Sequence, residues 1–240
     1  MKRSDAIRFV LLRSLGNFLL LMSIYGVIAT FGPALIYEAQ FQLIKIRGIE
    51  YQVARAEEAP GIQQGFEDVL EKTQITNSQP GFAEVLAGPK KQILVPTDTD
   101  FSITIPKIGA SAKIFPNIDP SNEDEFLPVL QEGIAHARGT VFPGFAGNTY
   151  LFAHSTDNWW NVGRYNAVFY LLKNLEKGDE VTVFFENVRH DYIVTDSFVA
   201  DADDVSLLVN AQNDHEQLVL QTCWPPGTTW KRQVIIATPK

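Results

Sequence analysis

Between Phe101 and the C-terminus of this 240-residue chain, eight short apolar or alternating runs follow one another, punctuated by Pro, Gly, Asn and Asp: residues 101–105, 112–115, 133–135, 148–153, 180–185, 191–198, 218–222 and 233–238. Phe101-Ser102-Ile103-Thr104-Ile105 alternates with period two and stops at Pro106, as a half-buried strand does. Helical interruptions are short and confined to residues 122–130, 167–174 and 204–209. About eight short strands with Pro and Gly between them predict a mainly β domain closed into a barrel, not a βαβ sheet. With 45% hydrophobic residues the chain can bury a sizeable core.

The N-terminal part has a different texture. From residue 14 to residue 37 no charge occurs and most side chains are apolar, which is the length needed to cross a bilayer core. Residues 1–13 are therefore expected to form a tail, 14–37 a transmembrane helix, 38–100 a stalk and linker, and 101–240 the β domain. A cleaved signal peptide is the competing reading, because Val27-Ile28-Ala29 loosely fits a small-residue cleavage site. The apolar run continues past it to Tyr37, longer than a secretory core usually is, which favours retention. Lys2, Arg3, Arg8 and Arg13 against Asp5 make the tail basic, so the tail is expected inside and the remainder outside the membrane.

Setting aside the tail's four basic residues and one acidic residue, the totals of 20 and 28 leave a net charge of −11 from Glu38 onward. An acidic ectodomain argues against nucleic acid as a partner and against flat adsorption onto anionic lipid. Residues 41–53 read as an amphipathic continuation of the membrane helix. The segment from Ala59 to Asp100, rich in Pro, Gly, Gln and Asn, reads as a linker. Two similar hexamers in it, at 65–70 and 81–86, read as two short amphipathic turns, too brief for a repeat architecture.

The chemistry concentrates at strand ends. Cys223 is the single cysteine and closes the run Leu218-Val219-Leu220-Gln221-Thr222. Trp224-Pro225-Pro226-Gly227 then stops the strand, and Arg232 opens the next run. Two strands joined by such a loop are expected to be antiparallel neighbours, so the loop brings Arg232 back beside Cys223. A lone cysteine at a strand end is more often an inert core residue. One exposed at a barrel rim beside a permanent cation would have its pKa lowered. His154 ends the run 148–153 and completes a set of nucleophile, proton-transfer partner and oxyanion stabiliser. Taken singly, His154 and Arg232 are more often structural or solvated; three such residues at strand ends point together to cysteine acyl transfer.

These residues resemble the signature of sortases, membrane-anchored cysteine transpeptidases of bacterial surfaces. The likeness lies in Ala153-His154, in Leu218-Val219-Leu220-Gln221-Thr222-Cys223 and in Arg232, with support from Gly133-Ile134-Ala135-His136, Pro143-Gly144, Gly147-Asn148 and Leu175-Glu176-Lys177-Gly178-Asp179. The resemblance implies an eight-stranded barrel and a reaction in two acyl transfers; no cofactor and no metal ligand set is expected. It implies that Cys223 attacks the Thr–Gly bond of a Leu-Pro-x-Thr-Gly-like sorting signal at the C-terminus of a protein substrate. An amine on cell-surface material, or a pilin lysine, then releases the acyl group. His154 would move the protons, Arg232 would hold substrate and intermediate, and Thr222 would help at the oxyanion. Trp160, with Trp159, offers an apolar wall for the substrate groove, against a competing reading in which the loop packs its aromatics on its own barrel. Ala153 and Ser155 stand where the family often has Gly and Arg, and Val219 where it often has Thr.

Other residues carry less. His136 fits a position shared among sortases, with a structural role equally open, and His190 and His215 read as surface residues. Asp201, Asp203 and Asp204 cluster enough to invite a calcium site, against the more frequent case of an acidic turn that is only solvated. A pilin-polymerising sortase is the nearest alternative; Asp119-Pro120 is followed by Ser121 and lies inside the domain, so a lid ahead of the barrel is not evident. A non-enzymatic, membrane-tethered β-barrel binding a partner through its Trp-rich loop is the alternative from another class. A plain cysteine endopeptidase is a third, although papain-like enzymes order Cys before His.

Overall fold

The computed structural model describes residues 3–53, 86, 91–155 and 168–240. Helix α1 (Arg3–Arg47) leads into β1 (Glu50–Val53), which pairs in parallel with β2 (Lys91–Leu94). The barrel strands are β3 (Phe101–Ile105), β4 (Ala110–Ile118), β5 (Ile134–Ala137), β6 (Gly147–Phe152), β7 (Glu180–Phe185), β8 (Val188–Asp201), β9 (Glu216–Trp224) and β10 (Lys231–Pro239). They close in the order β10-β8-β7-β3-β4-β5-β6-β9. Two neighbour pairs, β4 with β5 and β6 with β9, are parallel and the others antiparallel. The eight runs of the sequence are thus the eight barrel strands, and closure leaves no unpaired barrel edge.

Alternation along each strand sends one set of side chains inward. Ile103, Ile105, Ile114, Ile134, Leu151, Leu218, Leu220 and Ile235 fill the interior, each at most 1% exposed. The short helix α2 (Glu123–Glu132) connects β4 to β5, and a 3-10 helix at Tyr170–Asn174 precedes β7. Phe169, just before that second segment, and Leu172 within it are fully buried in the same core.

Part of the stretch read as linker belongs to ordered structure. Ile44 of α1 packs with Ile49, Tyr51 and Leu94, so the parallel pair β1–β2 is held against the end of the helix. Parallel pairing of strands so distant in sequence leaves no local signal, which is why turn residues alone suggested a linker. The two hexamers, apart from Leu86, lie outside the described residues. Helix α1 also touches the barrel: Phe41 joins the main core, and Lys173 Nζ donates to Glu38 Oε2 at 2.8 Å. That bond holds the Glu38 carboxyl below its ordinary range.

The apolar part of α1, Ile7–Ile28, has no buried residue. Twenty-two helical residues span about 33 Å at 1.5 Å per residue, enough for a bilayer core of about 30 Å. This window begins earlier than residue 14 and includes Arg8 and Arg13, whose long side chains can reach toward an interface from within an apolar helix.

His136 on β5 is fully buried. Its Nδ1 accepts from the Asn117 backbone N–H at 3.3 Å, and its Nε2 lies 3.1 Å from the Val141 carbonyl and 2.9 Å from Thr140 Oγ1. This pattern fits the neutral ring with its proton on Nε2. Phe142 stacks on the ring, and burial depresses the pKa. The role of His136 is therefore to tie β5 to the following turn. The unfolded chain takes up this proton as pH falls through the ordinary histidine range, whereas the folded state resists it. The stabilisation is present above that range and is lost as pH drops through and below it. Urea midpoints measured from pH 8 down to pH 5 should fall more steeply for the wild type than for His136→Gln. Parallel curves would remove His136 from the pH response.

Candidate active site

β9 and β10 are antiparallel neighbours, and their register sets Arg232 directly opposite Cys223. Arg232 Nη1 donates to Cys223 Sγ at 3.7 Å, and also to the carbonyls of Thr229 and Lys231 at 3.1 Å each. The loop 225–230 thus fixes one guanidinium nitrogen. Among the described residues, Nε and Nη2 make no hydrogen bond, so two donor groups remain for another partner.

On its other side β9 runs parallel to β6, with Phe152 opposite Gln221 as the last pair of the register. One residue further, Thr222 Oγ1 donates to the Ala153 carbonyl at 2.9 Å, so the two chains stay side by side past the end of β6. His154 follows Ala153 on the one chain, as Cys223 follows Thr222 on the other. His154, Cys223 and Arg232 therefore lie on three adjacent segments at one end of the barrel, and all three are half-buried.

One expectation, the lowered pKa of the Cys223 thiol, is corrected. Thr222 does not share a face with the thiol: alternation turns the residue before Cys223 inward, where it is 3% exposed. Its hydroxyl is engaged with Ala153 and fastens the strand that carries His154. The thiol pKa is raised, not lowered, because Cys223 is half-buried and desolvation outweighs the opposing effect of Arg232. The resting group is thus a protonated thiol at neutral pH. Trp159 and Trp160 lie outside the described residues.

The secondary candidates have structural partners. Lys231 pairs with Asp201, and Asp204 accepts from the Ser206 backbone N–H. Among the described residues there is no cluster of three potential metal ligands. Asp119 accepts from Ser121 and pairs with Arg138, which pins the turn after β4. Gly144 packs against the His190 ring at a positive φ of 87°, where a Cβ would come within 2.9 Å of that ring.

The same face carries two residues that the sequence reading passed over. Tyr150 on β6 is 5% exposed, and its hydroxyl donates to Gln221 Oε1. Gln221 lies two residues before Cys223, hence on the same face of β9. A polar residue directly after the apolar run 218–220 was the available signal; its partner, 71 residues away, gave none.

A model of the sortase domain matches residues 103–240, more than half of the chain. The chain belongs to the sortase family. Sortase D of Bacillus subtilis (strain 168) is 27% identical to it over 136 residues, 55% of this chain and 60% of that protein. The chain thus spans less than two thirds of that relative's length. Among solved structures it is similar to the Clostridium perfringens Sortase D5 transpeptidase, with 27% identity, coverage of 60% of this chain and 81% of that one, and a TM-score of 0.48. It is also similar to sortase A from Corynebacterium diphtheriae, with 20% identity, coverage of 86% of this chain and 83% of that one, and a TM-score of 0.49.

Proposed function

We propose that this chain is a cysteine transpeptidase that cleaves a Leu-Pro-x-Thr-Gly-like sorting signal and transfers the acyl group to an amine, anchoring proteins at a cell surface. The observation that carries the reading is the placing of His154, Cys223 and Arg232 on neighbouring segments at one end of the barrel. Membership of the sortase family supports it.

In this mechanism His154 accepts the Cys223 proton, since the thiol is protonated at rest. Sγ attacks the carbonyl carbon of the Thr–Gly bond, and the guanidinium of Arg232 donates to the oxygen as it becomes an oxyanion. The C–N bond breaks, and the leaving amine takes the proton from His154. A thioester on Cys223 remains. The acceptor amine attacks it and loses a proton to His154, the C–S bond breaks to leave the acyl group in an amide bond, and His154 returns the proton to the departing thiolate. Helix α1 serves as the membrane anchor, with its basic N-terminal end on the cytoplasmic side and the barrel outside.

The test is to mix the protein with a panel of Leu-Pro-x-Thr-Gly-like peptides, with and without a simple amine such as triglycine. An acyl adduct on Cys223 should be seen by mass spectrometry, together with an amide product that appears only when the amine is present. Absence of both adduct and product across the panel would overturn the reading, and product without adduct would exclude Cys223 as nucleophile.

A further inference from the structure

Cys223 sits at the upper end of a face whose floor is mostly apolar. Alternation puts Gln221 and Val219 of β9 on that face with Cys223, Val234 and Ile236 of β10 with Arg232, and Tyr150 and Phe152 of β6 with His154. Tyr150, Val219, Val234 and Ile236 pack together, and helix α3 (Ser206–Val209) lays Leu207 and Leu208 against their lower part. Between that covered part and the thiol, Gln221 places a carboxamide.

The carboxamide is held on one side only. Tyr150 donates to Oε1, while among the described residues the amide nitrogen has no hydrogen-bond partner. Burial pushes the Tyr150 hydroxyl up to about 12, so it stays protonated and keeps donating at any working pH. With Oε1 engaged, the exposed function of the side chain is a pair of N–H donors.

Spacing says what those donors meet. Two residues along a strand cover about 6.7 Å, the same advance as two residues of an extended peptide. A peptide with its reacting carbonyl at Cys223 and its chain along this face brings a second carbonyl to the level of Gln221. The acyl side of the peptide is the part that must stay bound through both transfer steps, whereas the leaving amine has to make way for the acceptor. We infer that Gln221, oriented by Tyr150, is a substrate-positioning residue whose amide donates a hydrogen bond to a backbone carbonyl of the acyl-donor peptide, two residues from the carbonyl attacked by Cys223.

This inference rests on the transpeptidase reading and is tested with the panel peptide that the wild type turns over fastest. Gln221→Leu should raise KM about tenfold, the scale of one hydrogen bond, with kcat within about twofold and alkylation of Cys223 by iodoacetamide unchanged. Gln221→Glu keeps the shape and the Tyr150 bond but has no donor, so it should raise KM at least as much, whereas a packing role would survive it. Tyr150→Phe should raise KM about threefold alone and add nothing on top of Gln221→Leu, because it acts through the same amide. Transfer by the wild type with KM unchanged in Gln221→Leu or Gln221→Glu, or additive effects of the two sites, would overturn the inference while leaving the transpeptidase reading intact. If no panel peptide were turned over by the wild type, both would fall.

Discussion

Cys223→Ala is expected to abolish acyl transfer and to leave the barrel folded. The thiol is the only one in the chain, so no other sulfur can form the thioester. Its loss removes a half-buried group at the end of β9, where the flanking interior residues Leu218, Leu220 and Thr222 keep their contacts. A stability change of about 1 kcal/mol is the ordinary scale for such a substitution. Turnover of any panel peptide by the variant above background would end the assignment of Cys223. The raised thiol pKa adds a signature in the wild type: alkylation by iodoacetamide should still be accelerating as pH passes the usual cysteine range. The linked stability effect has a defined sign. The folded thiol holds its proton longer than the unfolded one, so stability is retained below the unfolded pKa and lost as pH rises from there through the folded value. Cys223→Ala should lack that alkaline loss, which denaturant midpoints between pH 8 and pH 10.5 would reveal.

The second large effect is expected from Arg232→Lys: a loss of about 10²-fold in kcat/KM, the scale of removing one oxyanion donor. Arg232 uses Nη1 to hold the carbonyls of Thr229 and Lys231 and to reach Cys223 Sγ, which leaves Nε and Nη2 as fixed donors. A lysine ammonium retains the charge but has a single nitrogen, so it cannot be held by the loop and also present a planar fork to the intermediate. Alkylation of Cys223 should change much less than turnover, since the field of a cation at this position persists. Equal losses in the two measurements would mean that Arg232 acts chiefly through the thiol, and unchanged turnover would reduce it to a bystander.

Much of the barrel was legible because its cues are local. Period-two alternation, Pro, Gly, Asn or Asp between runs and short helical interruptions are properties of a few consecutive residues, and all eight runs correspond to barrel strands. The pairing of Cys223 with Arg232 was legible for the same reason, since a short loop joins their strands. The β1–β2 pair was not: its strands are parallel, 37 residues apart, and brought together only by packing on the end of α1.

For the site, the sequence by itself determined which residue types stand at the ends of which strands: a thiol, a guanidinium and an imidazole, each at the edge of an apolar run. Only the tertiary structure decided how each behaves. Side-chain alternation turns Thr222 inward to fasten the strand of His154, and closure of the barrel buries Cys223 far enough for desolvation to outweigh Arg232. The parallel β6–β9 register brings Tyr150 to Gln221. Each of these depends on the environment made by residues far away in the chain, because desolvation and cross-strand contact are properties of packing and have no counterpart in a single run of sequence.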